Sequence, residues 1–221
     1  MTATPQTTGR INGELWGQKA HDWATYQEAT CAGVFDAVLE RTHVGEGTRY
    51  LDLGCGSGMA AAKAAGKGAA VSGFDASAEL LEIAKSRVPG ADFRLGDLEQ
   101  LPFEDDRFDV VTGFNSVQYA GNPIQALREA ARVTAPGGII AIATWGEPEG
   151  MEAAQIVAAL KPLLPPPPPG APGPFALSEE SKIRQFAQDG GLDPIEVFDV
   201  NCPWTYPDKG TALTGLSSSG V

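Results

Sequence analysis

Positive charge, histidine and cysteine are all scarce in this chain, and each scarcity removes a class of function. Lys and Arg number 16 against 28 Asp and Glu, a net charge of −12. Affinity for nucleic acid comes largely from cations on phosphates, so no nucleic-acid partner is expected. An anionic membrane surface is disfavoured for the same reason. The three cysteines, Cys31, Cys55 and Cys202, lie far apart with no C-x-x-C pair. That speaks against a disulfide framework or a zinc site, and no metal is expected. No apolar run approaches the roughly 20 residues of a membrane span. A basic start followed by an apolar stretch is missing, so no signal peptide is expected and the cytoplasm is the expected location.

What is present is an ordinary globular balance, 43% hydrophobic and 20% charged over 221 residues. One α/β domain with a substantial core fits this length. Residues 1–12 read as polar and loose. Over 16–43 the pattern is helical, with Ala20, Trp23 and Ala24, then Val34, Phe35, Val38 and Leu39 at three- and four-residue spacing. Strands are predicted at 49–53, 70–74, 92–95, 108–114 and 138–144. Helices fall between them at 59–65, 77–87 with Ser77 as N-cap, and 124–133. Apolar strands separated by helices mean a parallel sheet covered on both faces, a three-layer αβα arrangement. Beyond Gly146 come a helix near 151–160, the proline run Pro165 to Pro169 as an extended spacer, a helix at 178–189 and a sixth strand at 195–200. The tail from Pro207 shows no core pattern. Three parts follow: a helical N-terminal part (1–44), a core of alternating strands and helices (45–146) and a C-terminal part (147–221).

The most informative run is Asp52-Leu53-Gly54-Cys55-Gly56-Ser57-Gly58, where an apolar strand breaks into alternate glycines before an alanine-rich helix. Glycines there let the backbone turn sharply and let a ligand approach with no Cβ in its way. Asp75 closes the next strand, placed to hold ribose hydroxyls. Dinucleotide loops read G-x-G-x-x-G, but the final position here is Met59. An acid at Asp52 would repel a diphosphate, whereas beside a zwitterionic amino acid it could accept from the amino group. Cys55 reads as a small packing residue of the loop, not a nucleophile.

These residues resemble the first motif of class I S-adenosylmethionine-dependent methyltransferases. Further pieces match in order: Gly73-Phe74-Asp75-Ala76-Ser77, Gly96-Asp97-Leu98 through Pro102-Phe103, Phe108-Asp109-Val110-Val111, and Arg132-Val133 through Gly137-Gly138. They are similar to the small-molecule branch that includes quinone-biosynthesis methyltransferases. The resemblance implies a Rossmann-like, doubly wound, mostly parallel sheet and S-adenosylmethionine as cofactor. It implies that Asp52, Gly54, Cys55, Gly56 and Gly58 form the loop around the methionine end. Asp75 would accept both ribose hydroxyls, Ala76 would line the adenine, Asp97 would accept from its amine and Leu98 would offer a backbone N–H. Asn115 would face the methionine moiety. The implied activity is methyl transfer to a small-molecule acceptor by in-line displacement. The alternatives are a non-catalytic module binding the same nucleoside, or, less favoured, a NAD-linked oxidoreductase.

On the acceptor side, similar enzymes fold N-terminal helices over the cofactor. Trp16, Trp23 and Tyr26 lie there, and aromatic faces attract a sulfonium cation. Gln118 and Tyr119 follow the fourth strand, and Phe175 lies where the family inserts a substrate cover. No general base is evident, His21 being the one candidate. The family's seventh, antiparallel strand has no counterpart, since nothing after Val200 alternates usably. The fifth strand then lacks a neighbour, which pairing with 195–200 or a homodimer through the sheet edge would relieve.

Overall fold

A computed structural model describes residues 8–160 and 174–219. Five strands form one parallel sheet: β1 (Arg49–Leu53), β2 (Ala70–Asp75), β3 (Asp92–Leu95), β4 (Phe108–Phe114) and β5 (Thr134–Ala143), in the order β3-β2-β1-β4-β5. The order reverses between β1 and β4, the switch point at which open α/β sheets bind ligands beyond their carboxyl ends.

Helices cover both faces. In chain order they are α1 (Thr8–Gly17), α2 (Ala20–Asp22), α3 (Ala32–Arg41), α4 (Met59–Gly66), α5 (Ala78–Arg87), α6 (Pro123–Val133), α7 (Glu152–Leu160), α8 (Glu180–Asp189) and α9 (Lys209–Leu216). Between α2 and α3 the chain makes a π-helical turn, Trp23–Gln27, and a 3-10 turn, Glu28–Cys31. Ser77 caps α5 by accepting from the Leu80 N–H at 3.3 Å, as its sequence position implied. Asn122 caps α6 in the same way, with Pro123 in its first turn.

Side chains alternate across the sheet, so β1 feeds two cores. Leu51 and Leu53 pack with Phe74, Phe103, Phe108, Val111 and Val133. Tyr50 packs on the other face with Leu39, Ala61, Ala64, Val71 and Val110. β5 begins at Thr134, earlier than expected, because a register shift between Phe108 and Val110 absorbs Pro136 and Gly137 (φ 79°) inside it.

The chain ends depart from the sequence reading. Residues 8–12 are not loose; they open α1. The predicted strand at 195–200 pairs with nothing among the described residues, so its expected ladder with β5 is also absent. Instead the segment crosses α3, where Arg41 sits 3.9 Å over the Phe198 ring and bonds Glu196 at 2.9 Å, both partners about half exposed. Ile195 is 89% exposed, so no apolar stripe exists to drive that stretch onto a sheet. The tail is not patternless either. Asp208 accepts from the Thr211 N–H at 2.9 Å to start α9, and Gly215 seats that helix on the π-helical turn. Among the described residues no sixth or seventh strand extends the sheet, so the expected lack of a seventh strand holds there. The Pro165 to Pro169 run lies outside the described residues.

Candidate functional site

The glycine loop leaves β1 directly under the end of β2. Gly54 and Cys55 donate their N–H groups to the Phe74 carbonyl at 2.7 and 3.1 Å. Gly54, Gly56 and Gly58 all have positive φ, at 67°, 53° and 84°. Their surroundings separate them, which corrects the expectation that all three clear a ligand's path. A Cβ on Gly54 would lie 2.2 Å from Ser116 Cβ, and one on Gly58 would lie 2.8 Å from Ala84 Cβ. Those two glycines let the loop pack against the β4 exit and α5. At Gly56 an added Cβ meets only Trp23 Nε1, at 3.9 Å. Of the three, Gly56 alone has no neighbour closer than van der Waals contact, so it marks the candidate cradle. Cys55 is buried beneath it against Gly73, and burial pushes its thiol well up, so it is a packing residue as read.

Asp75 ties this loop to β2. Its Oδ2 accepts from the Gly56 N–H and its Oδ1 from the Ser77 N–H, both at 2.8 Å. Burial raises its pKa while those N–H groups pull it back. An ionised carboxylate has about four acceptor sites, so capacity for a diol remains. Asp52 lies deeper, 1% exposed, opposite Thr112 in the β1–β4 register. Thr112 Oγ1 bonds Asp52 Oδ1 at 3.1 Å and the Tyr50 hydroxyl at 2.6 Å. Burial pushes the Asp52 carboxyl up to about 8 despite the Thr112 bond, with Asp75 and Glu28 adding repulsion.

Helix α1 packs on the turns that follow β2 and β3; a helical lid over 1–44 was expected, but not how the helix is seated, although the signal was present as glycines at 9, 13 and 17. A Cβ on Gly13 would sit 2.1 Å from the Ala76 carbonyl oxygen, and one on Gly17 would sit 2.3 Å from Glu79 Oε2. Only glycines let the helix lie flush on Ala76. The Gly9 N–H donates to Asp97 Oδ2 at 3.1 Å, and the Glu99 N–H to Asp97 Oδ1 at 3.0 Å. Asp97 is therefore engaged on both oxygens from the lid and its own turn. Leu98 packs its side chain against the core cluster of Leu51, Leu53 and Phe74.

Past β4, Asn115 adopts φ 48°, rare for a residue with a side chain, and donates its N–H to the Ala143 carbonyl at 2.9 Å. Its Oδ1 accepts from Gln118 Nε2 at 3.4 Å, while Gln118 Oε1 is buried without a partner. The Tyr119 carbonyl accepts from Asn12 of α1 at 2.9 Å. Burial pushes the Tyr119 hydroxyl up, opposed by bonds from the Trp145 and Gln118 side chains. Trp145 in turn meets Trp204 edge-on at 5.9 Å. At the N-terminal end, Trp16 packs edge-on against Trp23 at 5.0 Å. Tyr26 is 40% exposed and His21 is exposed. Phe175 lies in a separate hollow lined by Glu147, Pro148, Glu149, Ser178 and Glu179.

The helix after the loop argues against a dinucleotide. The Met59 N–H at the start of α4 donates to Glu28 Oε1 at 3.2 Å, so this terminus faces a carboxylate where a pyrophosphate would need free donors.

Fold and loop together define a doubly wound α/β protein with a nucleoside-cofactor site at its switch point. A methyltransferase domain family matches residues 51–142. The 27-O-demethylrifamycin SV methyltransferase of Amycolatopsis mediterranei is 33% identical over 85% of this chain and 71% of that protein. The chain belongs to the S-adenosylmethionine-dependent methyltransferase family. A demethylmenaquinone methyltransferase of Renibacterium salmoninarum is 38% identical over 46% of this chain, which spans 43% of that enzyme's length. Two further curated relatives are likewise spanned for less than half their length. Among solved structures, a SAM-dependent methyltransferase from Aquifex aeolicus shares the fold, with a TM-score of 0.58 and 21% identity over 75% of this chain and 83% of that one. The family's cofactor is S-adenosylmethionine, and the Asp75 carboxylate at the end of β2, with acceptor sites left over, has the chemistry its ribose diol needs.

Proposed function

We propose that this chain transfers a methyl group from S-adenosylmethionine to a small-molecule acceptor by in-line displacement beyond the carboxyl ends of β1, β2 and β4. The observation that carries the reading is Gly56, where an added Cβ would meet nothing nearer than Trp23 Nε1 at 3.9 Å and whose N–H is held by the Asp75 carboxylate. When bound, S-adenosylmethionine supplies a methyl group on a sulfonium, already activated for attack. Asp75 would hold the ribose hydroxyls, Ala76 and Leu98 would bound the adenine, and Asp97 would accept its amine. Asp52, drawn back to its ionised form, would face the ammonium, with Asn115 beside the methionine chain. Trp16 and Tyr26 of the lid, Gln118 and Tyr119, and Phe175 from the later cover are the acceptor-side candidates. Holding the reactants in line and excluding water supplies much of the rate in such a transfer, so the lid matters more than a base. His21 is the base candidate.

Support for a small acceptor comes from the net charge of −12 and from relatives named for demethylrifamycin and demethylmenaquinone. We read 1–44 as the lid, 45–146 as the cofactor core and 147–221 as the part completing the acceptor side. β5 has no outer partner among the described residues, which favours a second copy of the chain along that edge; sedimentation would report it. The direct test is calorimetry with S-adenosylmethionine and S-adenosylhomocysteine, followed by a mass-shift screen of phenols, quinols and amines. Asp75→Ala should weaken binding more than any other acid-to-alanine change, by about 1.5–3 kcal/mol for lost charge-assisted bonds. Unchanged affinity in that variant refutes the ribose assignment, and absence of any methylated product refutes the activity.

A further inference from the structure

Glu28 and Arg87 meet in an ion pair just outside the cradle. Glu28 is 3% exposed; one of its oxygens caps α4 through the Met59 N–H and the other accepts from the Arg87 guanidinium. Arg87 reaches three further acceptors: the Ser57 carbonyl at 3.0 Å, Ser57 Oγ at 3.4 Å and the Ala24 carbonyl at 3.1 Å. Five pieces of chain therefore meet at one pair of charges: the glycine loop, the start of α4, the end of α5, the π-helical turn and the 3-10 turn that carries Glu28.

Such a pair is a poor source of stability, because desolvation of the two charges offsets their attraction. What a guanidinium does better than an apolar group is fix direction, since its planar fork aims several donors at once. The acceptors it fixes belong to the two walls of the cradle. Ser57 follows Gly56, and Ala24 follows Trp23, the residue whose Nε1 is the nearest atom to a Cβ built on Gly56. The turn carrying Ala24 is π-helical, a rare geometry that recurs at functional sites.

We propose that Glu28 and Arg87 are positioning residues for the cofactor, clamping the glycine loop and the Trp23 turn at the separation that admits its methionine end. The proposal rests on the placement of S-adenosylmethionine at Gly56. Neither residue touches the reacting atoms; both act through the loop and the indole.

The test is calorimetric titration of S-adenosylhomocysteine into the full chain, with a melting curve for each variant. Three variants are needed: Glu28→Gln, Arg87→Lys and the double variant Glu28→Gln with Arg87→Met. The double variant leaves no unpaired buried charge, so it should melt close to wild type. Its affinity should remain roughly ten- to hundredfold weaker, because the walls of the cradle are no longer held. Arg87→Lys keeps the charge and loses the fork, and should show a similar loss. If the double variant regains wild-type affinity together with its melting temperature, the pair is structural only and the proposal falls. Wild-type affinity in Arg87→Lys also overturns it, and this arm stands even if Glu28→Gln fails to fold. Absence of binding to the wild-type chain would instead overturn the cofactor's placement, and the pair's role with it.

Discussion

Between Arg49 and Ala143 the chain keeps Tyr50, Leu51, Leu53, Phe74 and Val111 entirely out of water. In α1 and in α9 the buried residues are single glycines, Gly13 and Gly215. The sheet is thus held by apolar area, while α1 and α9, the roof of the proposed site, are held by close backbone approach and a few polar bonds. Area burial is strong and insensitive to detail. Glycine seating is weak and unforgiving, because one methyl group fills the contact. A rigid floor with a lightly held roof suits a site that must admit and release its ligands.

The largest effect is expected in the floor. Phe74→Ala removes a fully buried ring that packs on Gly96 and Phe103, and should cost about 3–5 kcal/mol in urea unfolding. If it costs no more than a lid substitution, the contrast between floor and roof fails.

Gly56→Val sharpens the division within the loop. Its Cβ branch would enter the space before Trp23, and its φ of 53° adds about 1–3 kcal/mol of strain. S-adenosylhomocysteine binding should be lost while the folded state persists. Retained binding would show that the cradle lies elsewhere.

A smaller effect concerns protons. Asp52 is raised from 3.8 to about 8, so the stability it contributes is fully present below its ordinary value and is lost as pH rises through about 8. An arriving ammonium favours the ionised carboxylate, so cofactor binding should release a proton below that value and tighten as pH approaches it. Calorimetry near neutral pH in buffers of different ionisation enthalpy should reveal the release, and Asp52→Asn should abolish it. Buffer-independent enthalpies in the wild type would remove Asp52 from the site.

The smallest effect belongs to the roof. Tyr206 donates to Gln27 Oε1 at 2.6 Å, tying the approach to α9 to the π-helical turn. Tyr206→Phe should cost about 1 kcal/mol in thermal unfolding. Hydrogen exchange should quicken in α9 and the lid but not in β1 or β4. A uniform change across the molecule would mean that roof and floor unfold as one.

Much of the floor was legible in the sequence because its causes are local. The apolar runs of β1, β2 and β4, the cap at Ser77 and the glycine break at Gly54 each announce themselves within a few residues. The loop was legible as a loop, yet the division of labour among its glycines was not. Whether a missing Cβ serves a ligand or a neighbouring chain depends on Ser116, Ala84 and Trp23, which are remote in sequence. The polar partners were hidden for the same reason: nothing near Asp97 announces Gly9, and nothing near Glu28 announces Arg87.

The chain ends show the limit most clearly. Residues 195–200 have the composition of a strand, but a strand forms only where a ladder partner and a buried face await it. Arg41 and Gly33 on α3 offered that segment another resting place, and the tail found the π-helical turn. By itself the sequence determined the parallel strands, the helices between them and the glycine break after β1, because short-range pattern and glycine backbone freedom suffice for them. Only the tertiary structure decided which glycine faces the cradle, what lies over it and where the last 30 or so residues go, because those outcomes turn on contacts between segments far apart in the chain, each too weak to leave a local signature.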